Sequence, residues 1–359
     1  MPLQIPPVQA ILNCVNVENP TAGADSGISE RPFLAAFEEK LERTVREDFM
    51  LGRREPRILG LAAEGLILAP GAKRLRPRLV LRLGEALHTP PATVLSIATA
   101  AELIHSASLL HDDVVDESSE RRGRPTANAR YGNSTAVLAG DLVLSLAFVQ
   151  VQSLPHAVTA TAVRLVAEMS RAALLEVRAR GDQALIASLA APAGARAAEA
   201  LWRDIAEGKT GSLFGWCGEA VALALGDLDT AARLALFGRR FGVAFQLADD
   251  LRNLRGDEPG KDQLSDLTNR QPTLPLLRAA ARDPAIRELA EAVWRTSDGV
   301  RDVERLAAAI GASGVFDDIV AEIGGLLDDA VVALGELAAR PGGASLVAWA
   351  ELLRGTVSR

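Results

Sequence analysis

From Glu102 to Asp141 the chain reads ELIHSASLLHDDVVDESSERRGRPTANARYGNSTAVLAGD, and this stretch decides the fold. Leu103, Ile104, Ala107, Leu109 and Leu110 recur at the spacing of a helix with one buried side. The same helix ends in Asp112, Asp113 and Asp116, so its apolar face carries acids inward on the last turn. Asp112 and Asp116 share a face. At roughly 5–6 Å their carboxylates repel by about 3 kcal/mol at an effective dielectric near 20. A cation is expected beside them.

The rest of the composition agrees with helices. Of 359 residues, 48% are hydrophobic and only 4% aromatic, with alanine and leucine dominant, whereas strands favour β-branched and aromatic side chains. An all-α fold follows. A formal net charge of -7 argues against a general nucleic-acid binder, which needs a broad basic surface. Cys14 and Cys217 are too few for a disulfide framework or a zinc site, which fits a reducing, cytoplasmic setting. No apolar run is expected to reach the roughly 18 residues that span a bilayer. Residues 1–30 carry no Lys or Arg, so neither a secretory signal nor an Arg-rich transit peptide is indicated.

Working outward, residues 1–30 read as a disordered tail, and residues 31–359 as one helical domain without a linker or short-period repeat. Phe33, Phe37, Leu41 and Val45 predict a helix over 32–50, and a shorter one follows over 58–68. A Pro70-Gly71 turn then leads through Lys73, Arg74 and Arg76 into a helix with Pro77 in its first turn. Helix 92–117 precedes a polar loop over 118–133, and further helices are predicted over 134–153, 156–190, 197–225 and 228–254. A second polar loop covers 254–273. Helices resume at Leu274, with breaks near Pro284 and Pro341.

The acidic cluster recurs in kind at Asp249, Asp250 and Asn253, again ending an apolar helix. Magnesium is hard, takes oxygen ligands and typically binds through one or two carboxylates plus phosphate oxygens, so the two clusters suit a metal–diphosphate complex. Basic islands flank the first cluster: Lys73, Arg74 and Arg76 before it, Arg121, Arg122 and Arg124 after it. Arginine forks and lysine point charges are the usual tools for diphosphate. His105 lies two turns before Asp112 on nearly the same face. Lys209 and Thr210 interrupt an apolar helix, but no strand precedes them, so GKT is not a phosphate loop; the lysine reads as a cation aimed at a phosphate. Gln246 lies three residues before Asp249. Lys261, Asp266, Arg270 and Gln271 occupy the following loop.

In this order GAKRLRP, ELIHSASLLHDDVVD, RRGRPT, AVLAGD, KT, FQLADD and GK…D…TLP resemble the trans-isoprenyl diphosphate synthases, especially the polyprenyl branch, over roughly residues 60–340. The resemblance implies an all-α bundle of long, mostly antiparallel helices around a deep central cavity, usually a homodimer. It implies a transferase that condenses isopentenyl diphosphate with an allylic diphosphate, using Mg2+. Asp112, Asp116 and Asp249 would hold metal. Lys73, Arg76, His105 and Arg122 would bind isopentenyl diphosphate, and Arg121, Lys209, Thr210 and Gln246 the allylic substrate, with Lys261 a further substrate contact. Ala107 and Ser108, one turn above the first cluster, are both small, so a product of twenty carbons or more is expected. No nucleic-acid partner is implied, and membrane contact would be transient, at product release.

Three positions depart from the family pattern: Asn253 replaces an Asp, Ala72 replaces the second of two glycines, and SRAALL before Glu176 lacks a Gly-Glu pair. Two other readings stay open. A terpene cyclase would also carry the first acidic motif but would not need the second cation set. A regulatory subunit is prompted by Asn253, although such subunits usually lose the first motif.

Overall fold

The computed structural model describes residues 29–47, 57–69, 72–121, 123–256, 264–295 and 300–358. Nearly all of residues 1–30, read as a tail, lies outside them, as do Arg122 and Lys261. The chain opens with helices α1 (Glu30–Glu47), α2 (Arg57–Ile67), α3 (Leu75–Leu87) and α4 (Pro91–Val115). Phe33, Phe37, Leu41 and Val45 are all buried, as their spacing requires. Helix α4 is the acid-bearing element, and its flanks are set by Pro91 at the start and Asp116 at the end.

The loop expected over 118–133 has more order than predicted. It holds a hairpin of β1 (Glu120–Arg121) and β2 (Arg124–Pro125), antiparallel with Arg121 opposite Arg124, and then α5 (Ala127–Tyr131) capped by Thr126. Gly123, at φ 73, makes the turn. Then come α6 (Asn133–Val151) and α7 (His156–Ala179), which stops short of the predicted 190, and the short α8 (Gln183–Ser188). Helix α9 (Pro192–Ala206) runs through a π turn, Glu207–Gly211, into α10 (Ser212–Leu223). Helix α11 (Leu228–Arg255) carries the second acidic cluster. The remaining helices are α12 (Ser265–Thr268), α13 (Leu274–Arg282), α14 (Pro284–Arg295), α15 (Val300–Ala312), α16 (Val315–Leu334) and α17 (Pro341–Val357).

Helix α4 packs against α1, α3, α6 and α10, while α11 packs against α10 and α16. Buried side chains from Phe33 to Val357 join in one hydrophobic cluster. The close approach of α10 and α11 rests on glycine: a Cβ at Gly238 would lie 2.2 Å from the Phe214 carbonyl oxygen. Two helices, Pro91–Val115 and Asn133–Val151, are long and apolar enough to cross a membrane, which corrects the expectation that none would be. For α4 the reason is plain, since a helix surrounded by protein needs the same apolar residues, and 67% of its apolar window is buried. For α6 only 39% is buried.

Candidate active site

The three aspartates that end α4 have separate surroundings. Asp113 is 2% exposed and paired with Arg121, whose Nη2 lies 2.7 Å from Oδ1 and whose Nε donates at 2.9 Å. Its carboxyl is pushed up by burial, and Arg121 counters that. Asp112 is largely buried and faces Lys209, with Nζ 3.4 Å from Oδ2. Asp116, the C-cap, accepts from Arg180 Nη2 at 2.6 Å. The two repelling carboxylates thus each have a cation, Lys209 for one and Arg180 for the other.

Lys209 reaches this position because of the π turn. One extra residue in the turn lets the side chains at 209 and 210 leave the apolar face of the α9–α10 rod, and such insertions are frequent at functional sites. The turn lies tight on α7: a Cβ at Gly208 would meet the Ala172 Cβ at 2.6 Å. Lys209 is also ion-paired with Glu176. Burial alone would lower the lysine, but Asp112 and Glu176 together outweigh it and hold the ammonium above its ordinary value. Burial raises Asp112; Lys209 opposes this, and Glu176 and Asp116 add to it. Thr210 Oγ1 donates to Gln246 Oε1 at 2.9 Å, and Gln246 Nε2 donates to Asp250 Oδ1 at 2.8 Å. Gln246, 36 residues along the chain, therefore joins Lys209 and Thr210 in one array.

In the second cluster Asp249 keeps 39% of its side chain exposed and meets Arg252 Nη2 at 3.3 Å. Asp250 is buried, accepts from Trp202 Nε1 at 3.3 Å, and is pushed well up, first by burial and then by Asp266. Glu176, Lys209, Asp249, Asp250, Asp266 and Gln271 line a cavity of about 200 Å³. Lys209, which lines this cavity, also meets Asp112, so it links the second acidic helix end to the first.

The flanking cations divide. Arg74, in a left-handed conformation at φ 49, turns inward to Glu38, Glu102 and the Ile67 carbonyl, so it braces α1 and α4 and is not available to a ligand. Arg76 is half-buried, stacks 5.0 Å over the Phe214 ring, and its buried Nε has no hydrogen-bond partner among the described residues. Lys73 is exposed, and His105 is half-buried on α4. Ala107 is 2% exposed, and Ser108 donates to the His105 carbonyl at 2.8 Å. Glu176 and Arg180 were not singled out from sequence. Glu176 stood only as the edge of an atypical segment, and nothing local distinguishes Arg180.

Among the described residues no three acidic, cysteine or histidine side chains gather into a closed metal site. Asp112, Asp116 and Asp249 offer hard carboxylate oxygens from two helix ends, with side-chain exposures of 18%, 32% and 39%. That donor set fits Mg2+ only if diphosphate oxygens complete the shell, which is how this ion usually binds.

Fold and site define an all-α protein whose two acidic helix ends are linked through Lys209. The profile of the polyprenyl synthetase family matches residues 61–310. The chain is 37% identical over 216 residues to the octaprenyl diphosphate synthase of Haemophilus influenzae, covering 59% of this chain and 62% of that protein. It is 34% identical over 259 residues to the octaprenyl diphosphate synthase of Escherichia coli, covering 70% and 76%. The crystal structure of a polyprenyl synthase from Caulobacter crescentus, complexed with calcium and isoprenyl diphosphate, superposes with a TM-score of 0.77 at 28% identity, covering 100% of this chain and 99% of that one. The chain belongs to the polyprenyl synthetase family, whose members are prenyl-diphosphate-synthesising transferases.

Proposed function

We propose that the chain is a magnesium-dependent trans-prenyltransferase that adds isopentenyl diphosphate to an allylic diphosphate. One observation carries this reading: Lys209 meets Asp112 at 3.4 Å and lines the same cavity as Asp249, so metal ligands and phosphate cations converge. Asp112, Asp116 and Asp249 hold the metal in this scheme. Bound there, Mg2+ neutralises the diphosphate and eases its departure.

Breaking the allylic carbon–oxygen bond places negative charge on the leaving diphosphate. Lys209 and Arg121 are the cations set to meet it, fixed beforehand by Glu176 and Asp113. Thr210 and Gln246 align the same group. Lys73, Arg76, His105 and Arg122 bind isopentenyl diphosphate, with Arg76 Nε the buried donor in need of an acceptor. Lys261 joins from the loop after the second cluster. The isopentenyl double bond attacks the cation, and the released proton goes to the departing diphosphate, so no side-chain base is required. The cytoplasm is the proposed compartment.

The test is to incubate purified protein with isopentenyl diphosphate and primers of three lengths, with and without Mg2+, and to size the extracted products. Elongation that needs both substrates and the metal is expected. Consumption of the allylic diphosphate alone would mean a cyclase. Inactivity until a partner subunit is added would mean a regulatory role. The small Ala107 and Ser108 favour a product of twenty carbons or more; Ala107→Phe is expected to shorten it, and an unchanged chromatogram would remove these residues as length determinants.

We also read the molecule as a homodimer. Leu138 and Val149 on α6, and Val163 and Leu174 on α7, are between 46% and 57% exposed. Uncovered apolar side chains of this size on two helices suit a protein partner, and a second copy is the simplest one.

A further inference from the structure

Asn253 stands where the family carries a third acid of the second cluster, yet its side chain is fully engaged. Nδ2 donates to Ser265 Oγ at 2.8 Å, and Oδ1 accepts from the Asp266 backbone N–H at 3.2 Å. The Asn253 carbonyl accepts from the Leu264 N–H at 3.4 Å. A carboxamide can donate and accept at once, whereas an ionised carboxylate can only accept.

The turn so held is strained. Leu264 and Arg270, at φ 60 and φ 56, bracket α12 in the left-handed region, which for such residues costs on the order of 1–2 kcal/mol each and persists where neighbours overdetermine it. The far side is anchored as well. Gly181 N–H donates to the Arg270 carbonyl at 3.1 Å, and the Gln271 N–H donates to the Asp266 carbonyl at 2.8 Å. With its amide oxygen turned to the guanidinium, Gln271 accepts from Arg180 at 2.9 and 3.1 Å, and Arg180 in turn holds Asp116. The segment is pinned at one end to the second acidic helix and at the other to the first. Asp266 lies at its centre and lines the cavity with Asp249 and Asp250.

We propose that Asn253 is a positioning residue: it fixes α12 so that Asp266 supplies, from the loop, the carboxylate that position 253 lacks. The inference rests on reading the mouth as a metal–diphosphate site. In the full-length protein, Mg2+-dependent binding of inorganic diphosphate is measured by calorimetry for wild type, Asn253→Ala, Asp266→Asn and the double variant. Asn253→Ala and Asp266→Asn are each expected to weaken binding by about 10-fold or more, as loss of an orienting partner does, with the double variant no weaker than Asp266→Asn alone. Additive losses, or wild-type binding by Asn253→Ala, would overturn the proposal. Hydrogen exchange of the Asp266 amide reads the tether without any ligand. Faster exchange in Asn253→Ala supports it, and unchanged exchange sinks it, even if the wild type binds no diphosphate.

Discussion

Lys209 is the residue on which most of the site's electrostatics turn. It is the cation that the Asp112–Asp116 repulsion called for, and it is held by Glu176 from behind. A pre-positioned donor of this kind is worth about 10²–10³ in rate. Lys209→Ala is therefore expected to lower kcat/KM for the allylic substrate by that factor, checked by steady-state kinetics, while far-ultraviolet circular dichroism stays unchanged. Cys217 is the opposite case, a titratable group with no chemistry to do. It is fully buried, and burial pushes its thiol up to about 12. A raised folded value means that the native state keeps a proton the unfolded chain releases, so this contribution is intact below the unfolded value near 9 and is lost as pH rises toward 12. At about 1.4 kcal/mol per pH unit, Cys217→Ala should gain about 2 kcal/mol relative to wild type between pH 8 and pH 10.5. Denaturant melts at the two pH values measure this, and a constant gap would contradict it.

At the scale of elements, the same residue type does opposite things. Gly238 lets α11 lie against α10, and its missing Cβ would sit 2.2 Å from backbone, which cannot move aside cheaply. Gly325, in the middle of α16, has nothing within 4 Å of a Cβ. Gly238→Ala is expected to destabilise the protein by about 3 kcal/mol, at the top of the overpacking range. Gly325→Ala should stabilise it by up to about 1 kcal/mol through helix propensity. Urea unfolding of the pair checks both signs. Helix positions were legible in sequence because they follow from apolar period and proline placement; α2 and α4 fall within a few residues of their expected limits, as does the start of α1, whose expected end lies outside the described residues. The π turn was visible only as a polar interruption at Lys209, since one inserted residue changes the backbone pattern without changing composition. Arg74 and Arg76 are two apart and alike on paper, but a left-handed residue turns one into an ion-pair network and leaves the other over Phe214. Asp112, Asp116 and Asp249 stood out in the sequence because acids that end an apolar helix are improbable. Arg180 and Glu176 did not, because what sets them apart is contact with Asp116 and Lys209 across 64 and 33 residues, which no local pattern records.

For the whole molecule, the question is what covers α6. Helix α4 and α6 are comparably apolar, yet α4 is wrapped by neighbours and α6 has less than half of its apolar window buried. Leu138, at 57% exposure, is the largest side chain left outside on it, and the polar Ser145 lies in the same exposed row as Val149. A bilayer-crossing helix would not place Asp141, 61% exposed, in the middle of that row, because an ionised group there costs several kcal/mol. A protein interface tolerates it with a partner, and His111 Nε2 lies 3.3 Å from its Oδ1. Homodimerisation through this face predicts a mass near 76 kDa, about twice that of the chain, by light scattering at micromolar concentration. Leu138→Glu would set a charge in the buried centre of such an interface and should raise the dissociation constant by at least about 30-fold, corresponding to about 2 kcal/mol for a central anchor. The same change on a monomer is a surface substitution worth within about 0.5 kcal/mol. Wild type that scatters as a monomer, or a variant that remains as dimeric as wild type, would leave the exposed face of α6 without a second copy to cover it.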